Sequence, residues 1–382
     1  MQDASSVLTD QFAELLKRLP AGLNLDSLAL ETKAIQRKRE LVDGASLLRI
    51  ALARGPGGLS LRQTSAWASM LGIAELSNPG VKYRLNHATE FLAALVERLL
   101  AAKAPGAEMR WPGRVLRLAD GTCVSKPGST GTDWRVHGVF DLGRGGFSHL
   151  ELSDGHGAEA LERGVPLAGE IRIGDRNYAR APALQRFRSE SGGKSDFIVR
   201  VGWNALKLTN PAGRAFDLIG YLHCLPADPS PHEVNLRASA GRGPPPWLST
   251  CCAGGTFATP PALAVRLIVG RKTPEAAEAT QSTLRRAAAR KGKALDPRSL
   301  VAAQFMILAT SLPKAGYSAK AILAVYRLRW QIELAFKRLK SLLHIDQLPT
   351  RTERGSQSWL YAHLILALLC DDLSQGFLES SP

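Results

Sequence analysis

The chain reads as a mixed α/β protein with a helical region in front, and three observations carry that reading. Up to residue 106 apolar side chains recur at helical spacing, as in FAELLKRL, ELVDGASLLRIALA and ATEFLAALVERLLAA. After the Pro- and Gly-marked stretch APGAEMRWPG the texture changes to short β runs. Helical segments interrupt those runs, which is the pattern of an α/β sheet containing both parallel and antiparallel neighbours.

In the helical region, GLSLRQTSAWASMLGIAELSNPGVKYRLNHA predicts a helix capped by Ser60, a turn, and a second helix carrying Lys82, Arg84 and His87. A helix-turn-helix and a plain helical hairpin both fit. The predicted strands that follow are RVLRLAD (114–120), WRVHGVFDL (134–142), FSHLELSD (147–154), IRIGD (171–175) and DFIVRVGW (196–203). Helices are expected at EALERGV and RAPALQRFRSES. Residues 204–313 predict strands in FDLIGYL, HEVNLRAS and PALAVRLIVG, the loop GRGPPPW, the basic helix TPEAAEATQSTLRRAAARKGK and apolar FMILATSL. This segment is expected to be a mostly β insertion, after which residues 314–382 return to the core.

Composition narrows the function classes. A net charge of +15, from 49 Lys and Arg against 34 Asp and Glu, favours a polyanionic partner, nucleic acid before anionic membrane. Five cysteines without CxxC spacing argue against a zinc ribbon or disulfide framework and for a reducing compartment. The N-terminus MQDASSVLTDQF has acids and no apolar run of the signal-peptide kind. WLYAHLILALLC (359–370) is too short to span a bilayer and predicts a buried helix. A soluble, cytoplasmic protein is expected.

Three acids are candidates for chemistry. Asp120 and Asp175 each end an apolar β run and open a turn, DGT and DRNY. In α/β sheets strand ends are where side chains leave the packed interior and meet a ligand, although Asp is also ordinary turn chemistry. The third is the lone acid of YRLRWQIELAFKRLK (326–340). On one continuous helix capped by Ser318, with about 100° per residue, Tyr326, Arg329, Glu333, Lys337 and Lys340 share a face opposite Leu328, Ile332, Ala335, Phe336 and Leu339. That face is either a solvated surface with i,i+4 ion pairs or a functional site. Three carboxylates supply hard oxygen ligands suited to Mg²⁺ and to phosphodiester chemistry, with the neighbouring cations as phosphate ligands.

The spacing Tyr326, Arg329, Glu333, Lys340 resembles the C-terminal signature of the insertion-sequence-four family of DDE transposases, with Trp330 where that family commonly has Trp. The resemblance extends to DGT, WRVHGVFDL, ELSDGHGAEALERG, GDRNYA and DFIVRVGWNALKL, and to AIQRKRELVDGASLLRIAL and LSNPGVKYRL near the N-terminus. It implies an RNase H-like catalytic core at 107–203 and 314–382, the insertion at 204–313, and a helical DNA-binding domain at 1–106. It further implies Asp120, Asp175 and Glu333 as catalytic metal ligands for Mg²⁺, with Mn²⁺ able to substitute. Tyr326, Arg329 and Lys340 would contact DNA phosphates, and Lys337 extends that basic face. Trp330 either packs under the sheet or approaches DNA. The partners implied are terminal inverted repeats and target DNA, held by a homodimer in a synaptic complex within the bacterial nucleoid. A nuclease without strand transfer and an inactive transposase-derived DNA-binding protein are the alternatives.

Other features count for less. Trp203 is expected in the core, because aromatics more often pack than bind. His137, His149 and His156 lack zinc-ligand spacing. GRGGF and SDGHG are turns rather than phosphate loops, and without a Walker A motif no ATP requirement is expected. RRAAARKGK (285–293) suits DNA backbone contact.

Overall fold

The computed structural model describes residues 12–37, 40–102, 111, 113–239 and 262–379. GRGPPPW, Cys251, Cys252 and most of the 104–113 boundary lie outside the described residues. The N-terminal helices are α1 (Phe12–Leu16), α2 (Leu25–Glu31), α3 (Gly44–Arg54), α4 (Leu61–Met70), α5 (Asn78–His87) and α6 (Thr89–Ala102). There follow β1 (Val115–Val124), β2 (Trp134–Asp141), β3 (Gly146–Asp154), β4 (Glu170–Gly174), α7 (Ala181–Glu190), β5 (Asp196–Arg200) and β6 (Leu208–Thr209). The remainder is α8 (Leu218–Cys224), β7 (His232–Ala238), β8 (Leu263–Arg271), α9 (Pro274–Arg290), α10 (Pro297–Ala303), β9 (Phe305–Thr310), α11 (Ala319–Tyr326), α12 (Trp330–Leu343) and α13 (Glu353–Glu379). Two compact units result, one of Met1–Gly106, Gly121–Gly157 and Leu334–Pro382, the other of Ala107–Asp120 and Ala158–Glu333.

In the first unit the helices begin where the sequence supplies caps. Asn24, Asp43 and Ser77 each accept a hydrogen bond from the backbone N–H three residues on, and Ser60 forms a capping box with Gln63. The Ser60 helix and the helix with Lys82, Arg84 and His87 are α4 and α5, which pack on each other. WLYAHLILALLC is the buried part of α13, with Leu360, Ala362, Leu364 and Ile365 fully buried against α3, α5 and α6. Burial of each such leucine or isoleucine contributes about 1.5–3 kcal/mol. Gly55 follows the last turn of α3, and a Cβ there would stand 2.9 Å from the Ala362 methyl, so glycine lets α3 and α13 approach. The β2–β3 antiparallel hairpin meets Phe336 of α12, whose ring lies 5.3 Å from that of Phe147. No helix among the described residues is long and apolar enough to cross a membrane.

The second unit is built on a sheet whose strands run in the order β1-β4-β5-β9-β8-β7-β6. β1, β4 and β5 are parallel, and β9, β8, β7 and β6 continue antiparallel. The parallel strands are apolar throughout because both faces are covered: Leu118, Ile171, Ile173, Phe197 and Val199 are completely buried. Helix α7, with Leu184 and Phe187 inward, crosses between β4 and β5. The fold is thus mixed α/β, and its parallel trio falls within residues 107–203.

Three local expectations are corrected. EALERGV is not helical: the buried guanidinium of Arg172 takes the carbonyls of Leu161, Arg163 and Gly164, and Gly164 has φ +73°. FDLIGYL is not a strand: Asp217 caps a helix by accepting from the Gly220 N–H at 3.0 Å, giving α8. The helix capped by Ser318 is not continuous, since a 3₁₀ turn at Arg327–Arg329 separates α11 from α12. Tyr326, the last residue of α11, is buried at 7 % exposure, whereas Glu333 and Lys337 on α12 are exposed.

Candidate active site

The site forms where the parallel ladder stops. β1 and β4 pair with Ala119 opposite Gly174, so the next residues, Asp120 and Asp175, leave the ladder side by side. Neighbouring strands lie roughly 4.8 Å apart, which brings two carboxylates together at one edge. Asp120 does not end its strand, as the sequence suggested; β1 continues to Val124, and Asp120 marks the end of its parallel pairing. Asp175 does end β4, and its Oδ1 accepts from the Asn177 N–H at 2.7 Å, capping a 3₁₀ turn over Arg176–Tyr178. Gly174 is required there, since a Cβ would meet Tyr178 Cβ at 2.8 Å.

Tyr178, 2 % exposed, sits beneath the acids. Burial first, then the charges of Asp120, Glu159 and Asp175, push its phenol well above the ordinary tyrosine range. It therefore stays protonated, and the acids around it create a locally negative environment suited to a cation. Glu159 belongs to this group, accepting from Asn177 Nδ2 at 2.8 Å, and sequence reading missed it. No spacing rule singled it out, because the loop that carries it was expected to be a helix.

The third acid arrives from the α11–α12 segment. Glu333 lies in the first turn of α12 and is half-exposed, at 51 %. Arg329, at 20 %, hydrogen-bonds the Glu333 carboxylate and reaches Asp120 Oδ2 at 3.7 Å. Tyr326 contacts the same guanidinium, and burial pushes its phenol up to about 12. The structure thus gathers Asp120, Asp175, Tyr326, Arg329 and Glu333. Trp330 is 52 % exposed, which removes packing under the sheet as its role. Lys337 is exposed and Lys340 half-buried on later turns of α12 that belong to the first unit.

The donor set fits a divalent ion chemically, being all hard carboxylate oxygen. Among the described residues no three carboxylate, imidazole or thiolate groups converge closely enough to chelate an ion as they stand. The Arg329 guanidinium is the counter-charge for both Asp120 and Glu333.

A second basic feature adjoins the acids. Gly174 pairs with Val199 on β5, so Arg200, which pairs with Leu308 of β9, lies one residue past the end of the β4–β5 ladder, as Asp175 does. Sequence reading did not select Arg200, because its significance lies in strand register.

Residues 111–369 match the family model described as transposase DDE domain. The chain is 38% identical over 373 residues to InsL of Escherichia coli K12, the transposase named for insertion sequence element IS186A, covering 98% of this chain and 96% of that one. It is 37% identical over 374 residues to the transposase for insertion sequence element IS421 of Escherichia coli, with the same coverage. A cryo-EM structure of the piggyBac transposase synaptic complex with hairpin DNA aligns over 97% of this chain and 74% of that chain, at TM-score 0.43 and 9% identity, too loosely to bear on the argument. With a family model spanning most of the chain and full-length relatives above a third identical, the chain belongs to the DDE transposases, enzymes that act on DNA and whose implied cofactor is a divalent metal ion.

Proposed function

We propose that Asp120, Asp175 and Glu333 hold Mg²⁺, with Mn²⁺ able to substitute, and that this site cuts the ends of a mobile DNA element and joins them to target DNA. The observation that carries the reading is the adjacency of Asp120 and Asp175 at the end of the β1–β4 ladder, with Glu333 tied to Asp120 through Arg329. When bound, the metal supplies Lewis acidity at phosphate oxygens. The chain's own residues do the rest. Asp120 and Asp175 are fixed by strand pairing and present carboxylate oxygens without reorganisation. Arg329 exchanges its carboxylates for a DNA phosphate, a charge-assisted bond of comparable strength. Tyr326 stays neutral and serves as a hydrogen-bond donor. Trp330, Lys337 and Lys340 extend the DNA-facing surface.

Residues 1–106 would grip the terminal inverted repeats, residues 107–203 and 314–382 would form the catalytic core, and 204–313 the insertion. Two ends cut in concert require a homodimer on paired ends. In the first step water breaks a phosphodiester and leaves a 3′-hydroxyl and a 5′-phosphate; in the second that 3′-hydroxyl forms a new phosphodiester with target DNA as a target 3′-hydroxyl leaves, so neither step needs ATP. An assay with pre-cut element ends and a target plasmid tests the reading: joined product is expected with Mg²⁺, and hydrolysis with no joined product would instead make the protein a nuclease.

A further inference from the structure

Residues 158–164 of the second unit form neither helix nor strand, yet they are pinned at several points. The anchor is Arg172, completely buried in the middle of β4 and paired with Glu170. Its Nη1 donates to the carbonyls of Leu161 at 2.7 Å, Arg163 at 2.8 Å and Gly164 at 3.0 Å, since a buried guanidinium must satisfy its donors. Arg163 Nε in turn donates to the Ala158 carbonyl at 2.8 Å. A loop fixed to β4 in this way delivers Glu159 to the end of the same strand, where Asp175 leaves it.

Asn177 joins the two acids. Its backbone N–H donates to Asp175 Oδ1 at 2.7 Å, and its side-chain Nδ2 donates to Glu159 Oε2 at 2.8 Å. The 3₁₀ turn that carries Asn177 has little hold of its own. The Tyr178 N–H reaches the Asp175 carbonyl at 3.3 Å and the Ala179 N–H reaches that of Arg176 at 3.4 Å, both longer than the usual roughly 2.9–3.0 Å. Tyr178 packs against Gly174 and fixes the buried side of the turn. Asn177 is exposed, and its bond to Glu159 fixes the outer side.

Glu159 also lies within the field of the site, since its charge acts with those of Asp120 and Asp175 on the Tyr178 phenol. It therefore stands beside the acids while bonding to the turn that supports one of them.

We propose that Glu159 is a positioning residue: by holding the Asn177 side chain it fixes the turn whose backbone N–H aims Asp175 at the divalent ion. The inference rests on the proposed metal role of Asp175 and adds a residue that need touch neither metal nor DNA. A carboxylate whose orientation is set before the ion arrives binds it more tightly than one that must be ordered on binding. Arg172 thus contributes at a distance, because the loop it pins carries Glu159.

The test is titration calorimetry of Mn²⁺ into the full chain without DNA, with circular dichroism to confirm that each variant is folded. Glu159→Ala and Asn177→Ala are each expected to weaken Mn²⁺ binding by about tenfold, the lower end of the range for groups that orient a metal ligand, because this bond is partly exposed. Glu159→Gln keeps an oxygen acceptor for Asn177 and is expected to recover most of the loss. The double alanine variant should lose no more than either single one, since both remove the same bond. Alanine variants that bind as the parent does, additive losses in the double variant, or a Gln variant as weak as the Ala variant would each overturn the positioning role while leaving the metal site intact. A parent that binds no Mn²⁺, or whose binding is untouched by Asp175→Asn, would overturn the metal site and this role with it. Asn177 is exposed, so its variant decides the question even if Glu159→Ala fails to fold.

Discussion

The Arg329 guanidinium stands 3.7 Å from Asp120 Oδ2 while its other nitrogen hydrogen-bonds the Glu333 carboxylate. One cation thus links a sheet residue to a helix residue, and it fills the role that a divalent ion would take during the reaction. On the proposed reading, a divalent ion held by Asp120 and Glu333 and a DNA phosphate held by Arg329 would replace this internal pairing.

Arg329→Ala should therefore have two opposite effects. Mn²⁺ binding without DNA should tighten, because Asp120 and Glu333 lose their internal counter-ion; titration calorimetry reads this directly. Binding of duplex DNA should weaken, and its salt slope should fall by about 0.9, one phosphate contact. An unchanged slope would argue against phosphate contact by Arg329, and Lys340→Ala is expected to behave similarly on DNA alone.

Glu333→Gln keeps the size and helix propensity of the side chain and removes the charge. Strand cleavage should drop by at least about a hundredfold, the scale of losing a preorganised electrostatic group. DNA binding in a gel-shift assay should persist, and wild-type cleavage would rule out a metal-ligand role for this residue.

His363 gives a pH dependence that is independent of catalysis. It is 1 % exposed, its Nδ1 lies 2.7 Å from the Trp359 carbonyl, and burial lowers its pKa to about 4. A histidine with a depressed folded pKa is buried neutral, so its contribution is complete above its unfolded value near 6.5. As pH falls from about 6.5 to 4 the unfolded chain binds the extra proton first, and about 3 kcal/mol is lost. Urea unfolding at pH 7 and pH 4.5 should show this loss, and His363→Gln should flatten it.

Phe187 anchors α7 against the sheet and is completely buried. Phe187→Ala should destabilise the second unit by about 3–5 kcal/mol through lost burial and the cavity left behind. The check is a lower unfolding midpoint together with reduced protection of β4 and β5 amides from hydrogen exchange.

Much of the architecture was readable from local pattern. Apolar runs such as IRIG and DFIV mark buried strands because parallel strands covered on both faces tolerate little else. Ser60 and Ser318 announce helix starts because a hydroxyl must satisfy an otherwise orphaned backbone N–H. Misreadings came where a distant group overrode local preference: EALERGV lost its helix to the carbonyl demand of buried Arg172. The spacing of Tyr326, Arg329 and Glu333 was visible, yet the 3₁₀ turn between α11 and α12 was not, because nothing in RLR itself breaks a helix.

By itself the sequence determined the chemical inventory: acids after apolar runs, a lone glutamate among cations, a strongly basic chain. Tertiary structure alone decided which of these meet. Register placed Ala119 opposite Gly174 and Gly174 opposite Val199, which aligns Asp120, Asp175 and Arg200 along one edge. Pairing energy is summed over whole strands, so no local feature of any one strand reveals its neighbours. Glu159 and Arg200 became visible for that reason only once the strands were paired.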